Sequence, residues 1–189
     1  MPPKSVLTRE QIVERAFEIL RTEGYDALNA RYLASSLGVS TMPLFKHYEN
    51  MEEIKKAAVG LGVERYSSYM QMGMGDSIPF KGVGRAYIRF AKEEPKLFEI
   101  FFMRATNSIV GIDEVDPNYN DVLDIASKIM NGNNNNGEFI LRNMWLIVHG
   151  IATLEVTGKM SFSDDEISEI LSTTFLSLKT QMERRNSNE

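Results

Sequence analysis

The sequence predicts an all-α protein of about nine helices, with three short helices forming an N-terminal helix-turn-helix and a larger helical domain after it. Three observations carry this. Apolar residues recur at intervals of three and four from Ile12 to Met182, and no stretch alternates long enough to make a strand. Polar capping residues (Thr8, Asn29, Ser40, Asn50, Asp116 and Ser163) stand immediately ahead of the apolar runs. Gly38 follows one such run and is followed within a few residues by the next.

The elements follow in order. Thr8 and Gln11 make a capping box, and Leu7 and Ile12 hold the N′ and N4 positions of a hydrophobic staple. Ile12, Ala16, Ile19 and Leu20 then form one face, and Gly24 supplies a stop, so a helix is expected over 9–23. Asn29 caps a second helix with Leu33, Ala34 and Leu37 inward. Ser40 caps a third, expected over 41–48, with Pro43 in its first turn, where a missing N–H does no harm. A turn of about four residues containing Gly38 joins the two, which is helix-turn-helix spacing.

Asn50, with Glu53 three residues on, opens a long helix expected over 51–72, which runs out in Gly-Met-Gly-Asp-Ser-Ile-Pro. Val83, Tyr87, Phe90 and Ala91 mark the next helix, and Pro95 starts another with Leu97, Phe98, Phe101 and Phe102 inward. A linker around 105–116 leads to a helix capped by Asp116 and begun by Pro117. Asn-Gly-Asn-Asn-Asn-Asn-Gly, from Asn131, reads as a flexible polar loop. Residues 138–157 are apolar nearly all round, so that helix needs partners on several sides. Ser163 and Glu166 box the last helix, 164–184, whose stripe is Ile167, Leu171, Phe175, Leu178 and Met182.

Composition narrows the function. The 189 residues hold no cysteine, which excludes disulfides, zinc thiolates and cysteine nucleophiles, and two histidines cannot build a metal cage alone. No metal site and no cofactor are expected. No apolar run approaches the roughly 18 residues of a membrane span, and the N-terminus lacks a signal-peptide core, so a cytoplasmic protein is expected. Net charge is −5, but residues 1–56 balance eight basic against eight acidic groups, so the N-terminal part is the less acidic one. There is no Walker loop, no Gly-x-Ser-x-Gly and no nucleophile with its base, which argues against an enzyme and leaves no catalytic residue to name.

One stretch is specific. Leu37-Gly38-Val39-Ser40, Leu44-Phe45-Lys46-His47-Tyr48 and Asn50-Met51-Glu52-Glu53-Ile54 follow one another at the spacing set by the first helix. Over about 45 residues this resembles the TetR (tetracycline repressor) family of transcriptional regulators, with its Leu-Gly-Val-Ser, Leu-Tyr-basic-His-Phe and Asn-Lys-Glu-Glu-Leu segments. Trp145 to Gly150, WLIVHG, is similar to the Trp…His-Gly signature of one C-terminal subclass. Two positions depart from the family pattern: Phe45 replaces its tyrosine and Met51 its lysine, which removes two phosphate contacts.

The resemblance implies a DNA-binding domain over 1–50 and an effector-binding and dimerisation domain over 51–189. In the first, Leu44 and Tyr48 point inward with Leu37 and Val39, leaving Thr41, Met42, Phe45 and Lys46 for the DNA groove. Lys46 can pair with a phosphate or guanine, Thr41 can hydrogen-bond, and Met42 and Phe45 can meet thymine methyls. His47 and the amides near Ser40 suit phosphates, and Arg31 aligns with a DNA-contacting position. For Arg31, Thr41 and Lys46 the competing reading is an ordinary surface residue, for His47 a brace on the neighbouring helix, and for Phe45 burial in the small core.

Family members of this type sense small molecules. A pocket lined by Tyr66, Met70, Tyr87, Phe98, Phe102, Trp145 and His149 is expected, with core packing as the alternative for each. Glu155 is expected to pair with Lys159 in solvent, with an inward orientation suited to a cationic effector as the alternative. The last two helices, through Ile151, Ile167, Leu171, Phe175 and Leu178, are candidates for a four-helix homodimer interface, with burial inside one subunit as the alternative. The function implied is a dimeric, ligand-responsive regulator, most simply a repressor, of double-stranded DNA carrying a palindromic site. The alternative is a helical protein-interaction module with lost or weak DNA binding.

Overall fold

A computed structural model describes residues 7–105 and 116–186. All regular structure among them is helical: α1 Arg9–Glu23, α2 Ala30–Ser36, α3 Met51–Met74, α4 Pro79–Glu93, α5 Pro95–Phe98, α6 Tyr119–Ile129, α7 Asn134–Val156 and α8 Asp164–Asn186. Eight α-helices among the described residues stand where about nine are expected. The difference lies at 41–48, where only a single tight turn forms, Leu44–Lys46. Between Pro43 and the Asn50 cap there is too little chain for a cooperative helix.

Thr8, Asn29, Asn50 and Ser163 cap helices where their positions predict, but Ser40 does not, because the helix expected after it does not form. Thr8 and Gln11 exchange both bonds of the box, at 3.2 and 3.0 Å. Asn29 caps α2 through Tyr32 N–H, and Ser163 with Glu166 closes a box on α8. Asn50 accepts from Glu53 N–H, but Glu53 returns its bond to Glu49 N–H instead of Asn50. Asp116 accepts from Asn118 N–H in a short turn, so α6 begins at Tyr119 and not at Pro117. Most of the expected linker, 106–115, lies outside the described residues.

The expected polar loop at 131–137 is instead a turn running into a helix. Asn131 and Gly132 take φ of 58° and 81°, and Asn133 caps α7 through Asn136 N–H. Gly137 is buried because it crosses Ser127 of α6 so closely that a Cβ would lie 2.7 Å from Ser127 Cα. The asparagines therefore serve as turn and helix-start residues, which local composition alone does not reveal.

The chain forms two compact units, Met1–Arg65 with Glu94–Arg104, and Tyr66–Glu93 with Ala105–Glu189. This differs from the division expected at residue 50. The first half of α3 belongs with the N-terminal helices because Ile54 and Ala58 are fully buried among Ile12, Ala16, Leu20, Leu33 and Leu44. Leu97 and Phe98 of α5, which packs on α1, are also fully buried.

In the second unit, α7 packs on α4, α6 and α8. It is long and apolar enough to cross a membrane by composition, but Ile140, Leu141, Met144, Val148, Ile151 and Ala152 are spent on this packing. Tyr66 and Tyr69 of α3 meet Phe90 of α4 edge to face, with centroids 5.1 and 5.4 Å apart. The expected Glu155–Lys159 pair gives way to a tertiary one. Glu155 lies 3.3 Å from Lys92 and accepts from Phe162 N–H at 2.7 Å, anchoring the α7–α8 connection.

Candidate functional site

The first candidate surface is the turn after α2. Gly38 takes φ 68°, and the Gly38 and Val39 amides close the helix end on Ser35 and Ala34 carbonyls at 3.0 Å each. The chain then makes one loose turn, Leu44 N–H to Thr41 O and Tyr48 N–H to Leu44 O, without a side-chain cap. Burial holds it. Leu44 is fully buried and Tyr48 nearly so, with the Arg9 guanidinium 4.3 Å over the Tyr48 ring. A fully buried leucine contributes about 1.5–3 kcal/mol, enough to position a turn that lacks helical cooperativity.

Anchored by those two residues, the opposite side faces solvent. Met42 is 70% exposed and Phe45 44% exposed, with Arg31, Ser40 and Lys46 also exposed and Thr41 and His47 half-buried. Two large apolar side chains thus stand exposed close to Lys46 in the chain. Met51, where the family has lysine, is half-buried and packs against the core of this unit.

The second candidate is a cavity of about 390 Å³ within the second unit. Val83 and Tyr87 of α4, Leu141, Met144, Trp145 and Val148 of α7, and Leu171 and Phe175 of α8 form much of its wall, with Met70 of α3. Its few polar groups are Asp116, Lys81 and Ser172 together with tyrosine hydroxyls. Asp116 is buried, and its Oδ2 accepts from Tyr66 Oη at 2.7 Å. Lys81 donates to Ser172 Oγ at 2.9 Å.

Burial first, then the Asp116 charge, push the Tyr66 and Tyr87 phenols well above their ordinary pKa, so both stay protonated. Tyr87 Oη lies 3.0 Å from His149 Nδ1, and the His149 ring stacks on Trp145 at 4.7 Å. Burial lowers the His149 pKa. The Trp145 indole N–H is buried with no acceptor among the described residues.

Of the residues expected at a pocket, Met70, Tyr87 and Trp145 line this cavity. Tyr66 and His149 stand behind its wall, holding Asp116 and Tyr87. Phe98 and Phe102 belong to the first unit, where their rings pack at 5.1 Å, and they do not line it. Helical spacing marks an apolar face but not which of two cores receives it.

Of the residues expected at a dimer interface, most are drawn into the subunit's own packing. Ile151, Ile167 and Leu171 are buried inside the subunit, and Leu171 and Phe175 line the cavity. Phe175 and Leu178 are half-buried. The exposed apolar residues of α7 and α8 are Leu146, Ile147 and Leu176. Leu176 falls off the inward stripe of α8. Asp116 was legible only as a cap, and Lys81 and Ser172 carried no signal. Among the described residues no group of three or more acidic, His or Cys side chains could hold a metal.

A helix-turn-helix with an exposed, one-sided turn, joined in one chain to a helical unit around an apolar cavity, is the architecture of a helix-turn-helix transcriptional regulator. Residues 80–175 match the family described as tetracyclin repressor-like, C-terminal domain, and the chain belongs to that family. It is 28% identical over 190 residues to an uncharacterized HTH-type transcriptional regulator of Mycobacterium tuberculosis, covering 95% of this chain and 83% of that one. Its fold is similar to that of a protein with unknown function from Rhodococcus sp. RHA1, with a TM-score of 0.71 at 20% identity, covering 94% of this chain and 97% of the other.

Proposed function

We propose that this protein is a homodimeric repressor that binds a palindromic operator in double-stranded DNA, acts in the cytoplasm and is released by a small, mostly apolar effector. The observation that carries it is the exposure of Met42 and Phe45 beside Lys46 on the turn after α2. Side chains of those kinds suit thymine methyls and a phosphate or guanine edge, with Arg31, Ser40, Thr41 and His47 as flanking contacts. Exposed Leu146, Ile147 and Leu176 on α7 and α8 support a two-fold interface, and a two-fold protein suits a palindrome. The cavity of the second unit supports effector binding through Met70, Tyr87 and Trp145, with Tyr66 and His149 behind them. Release requires that the effector bind the DNA-free conformation more tightly than the DNA-bound one.

The test is selection from a random duplex pool at low salt by the purified protein. Enrichment of a palindrome with half-sites about 34–36 Å apart, one DNA turn, is expected. The second reading, a helical interaction module, is favoured by Phe45 and Met51 standing where the family has phosphate-contacting residues. Failure of any duplex to enrich, even with protein refolded free of small molecules, would favour it.

A further inference from the structure

The cavity wall is apolar, yet it contains a buried carboxylate. Asp116 is 8% exposed, and its partners are all neutral: Tyr66 Oη at 2.7 Å, Asn118 N–H at 2.8 Å and Asn118 Nδ2 at 3.5 Å. No Lys, Arg or His among the described residues lies within ion-pair distance. Residues 106–115, which precede it, include no basic side chain at all. A carboxylate has about four acceptor sites, these three donors do not fill them, and Asp116 lines the cavity. Burying a charge without a counter-ion is costly, and a group kept so in a cavity points to a ligand that supplies the missing charge.

Lys81 lines the same cavity but is placed differently. It is only half-buried, so water can solvate it, and it is occupied with Ser172 Oγ on α8. It also stands six residues before Tyr87 on α4, about 9 Å of helix axis, whereas Asp116 is held through Tyr66 of α3.

We propose that the effector is an organic amine whose ammonium group pairs with Asp116 and whose apolar body fills the space along Val83, Met144 and Val148. Tyr87 and Tyr119, which also line the cavity, supply the aromatic surroundings that suit a cation. The proposal rests on the cavity being the effector site.

The full-length protein is titrated with decylamine, decanol and decanoate, which share one apolar body and differ in head charge. Fluorescence of Trp145, the chain's single tryptophan, reports binding. Decylamine is expected to bind roughly tenfold or more tighter than decanol. Asp116→Asn is expected to abolish that margin while leaving decanol within about twofold. If the variant does not fold, as judged by circular dichroism, the wild-type ranking decides alone. Decanol equal to decylamine, decanoate the tightest, or a margin that survives in Asp116→Asn overturns the amine and leaves the cavity a binding site. Binding of none of the three overturns the amine and the effector reading together.

Discussion

Arg21 donates from Nε to Glu94 Oε2 at 2.6 Å, and Arg65 donates to Oε1 of the same carboxylate at 2.9 and 3.1 Å. Glu94 is 2% exposed and both of its oxygens are satisfied, so α1, α3 and the start of α5 meet on one buried anion. Removing it takes away the shared carboxylate of two part-exposed guanidiniums. Glu94→Ala should lower unfolding stability by about 2–4 kcal/mol, measured by urea denaturation. Lys128→Ala, which breaks the exposed pair with Asp124, should cost no more than about 0.5 kcal/mol. Equal losses in the two variants would mean that the Glu94 cluster is not structural.

Gly137 tests the crossing of α6 and α7. A methyl group there would meet Ser127 Oγ at 2.4 Å and Ser127 N at 2.8 Å, so Gly137→Ala must push the two helices apart. A cost of about 1–3 kcal/mol is expected from overpacking. Gly60 sits in α3 with nothing within 4 Å, and Gly60→Ala should stabilise by about 0.5–1 kcal/mol through helix propensity. Thermal melts of the pair shifting in the same direction would refute the close crossing.

His149 gives a pH dependence. Burial holds its folded-state pKa below the unfolded value of 6.5, so the native state favours the neutral ring. The unfolded chain therefore binds the proton first as pH falls. Stability is full above about 6.5 and declines as pH drops toward the folded pKa. Replacing His149 with Gln should flatten that part of the stability–pH curve, and an unchanged slope would remove the assignment.

On the DNA side, Lys46→Ala should weaken operator and random duplex alike and reduce the slope of log affinity against log salt by about 1. Phe45→Tyr returns the hydroxyl that the family carries at an exposed position and should tighten binding by roughly 1 kcal/mol. Fluorescence anisotropy at several salt concentrations reads both. A Lys46 variant with an unaltered salt slope would place that residue away from the phosphates.

Leu176→Glu and Leu146→Glu put charge on exposed positions of α8 and α7, and so should spare the fold but not an interface. Sedimentation should show a dimer for the parent chain and a monomer for the variants, with unchanged circular dichroism. A monomeric parent chain would remove the dimer from the proposal.

Local chemistry makes much of this fold legible in the sequence. Thr8 with Gln11, Asn29 and Ser163 with Glu166 each form the cap that spacing predicts, because a cap needs only residues three apart. Leu44 and Tyr48 turn inward as expected, since two large apolar residues four apart must share a side. Sequence fails where one residue has two compatible fates. Phe98 and Phe102 fit an apolar face of either unit, Asn131 to Asn136 fit a loose loop as well as a turn with a helix start, and Ile167 and Leu171 fit a core as well as an interface.

The helical class, most of the caps and the inward turn of Leu44 and Tyr48 follow from the order of amino acids alone, because each depends on neighbours within a turn or two of chain, whereas the helix expected at 41–48 shrinks to a single turn. The fate of Asp116 does not. As a cap it required nothing beyond Asn118, but Tyr66, fifty residues away, and the walls of α4 and α7 enclose it and make it the buried charge of an apolar cavity. Burial and pairing are properties of the whole packed chain, and no local pattern encodes them.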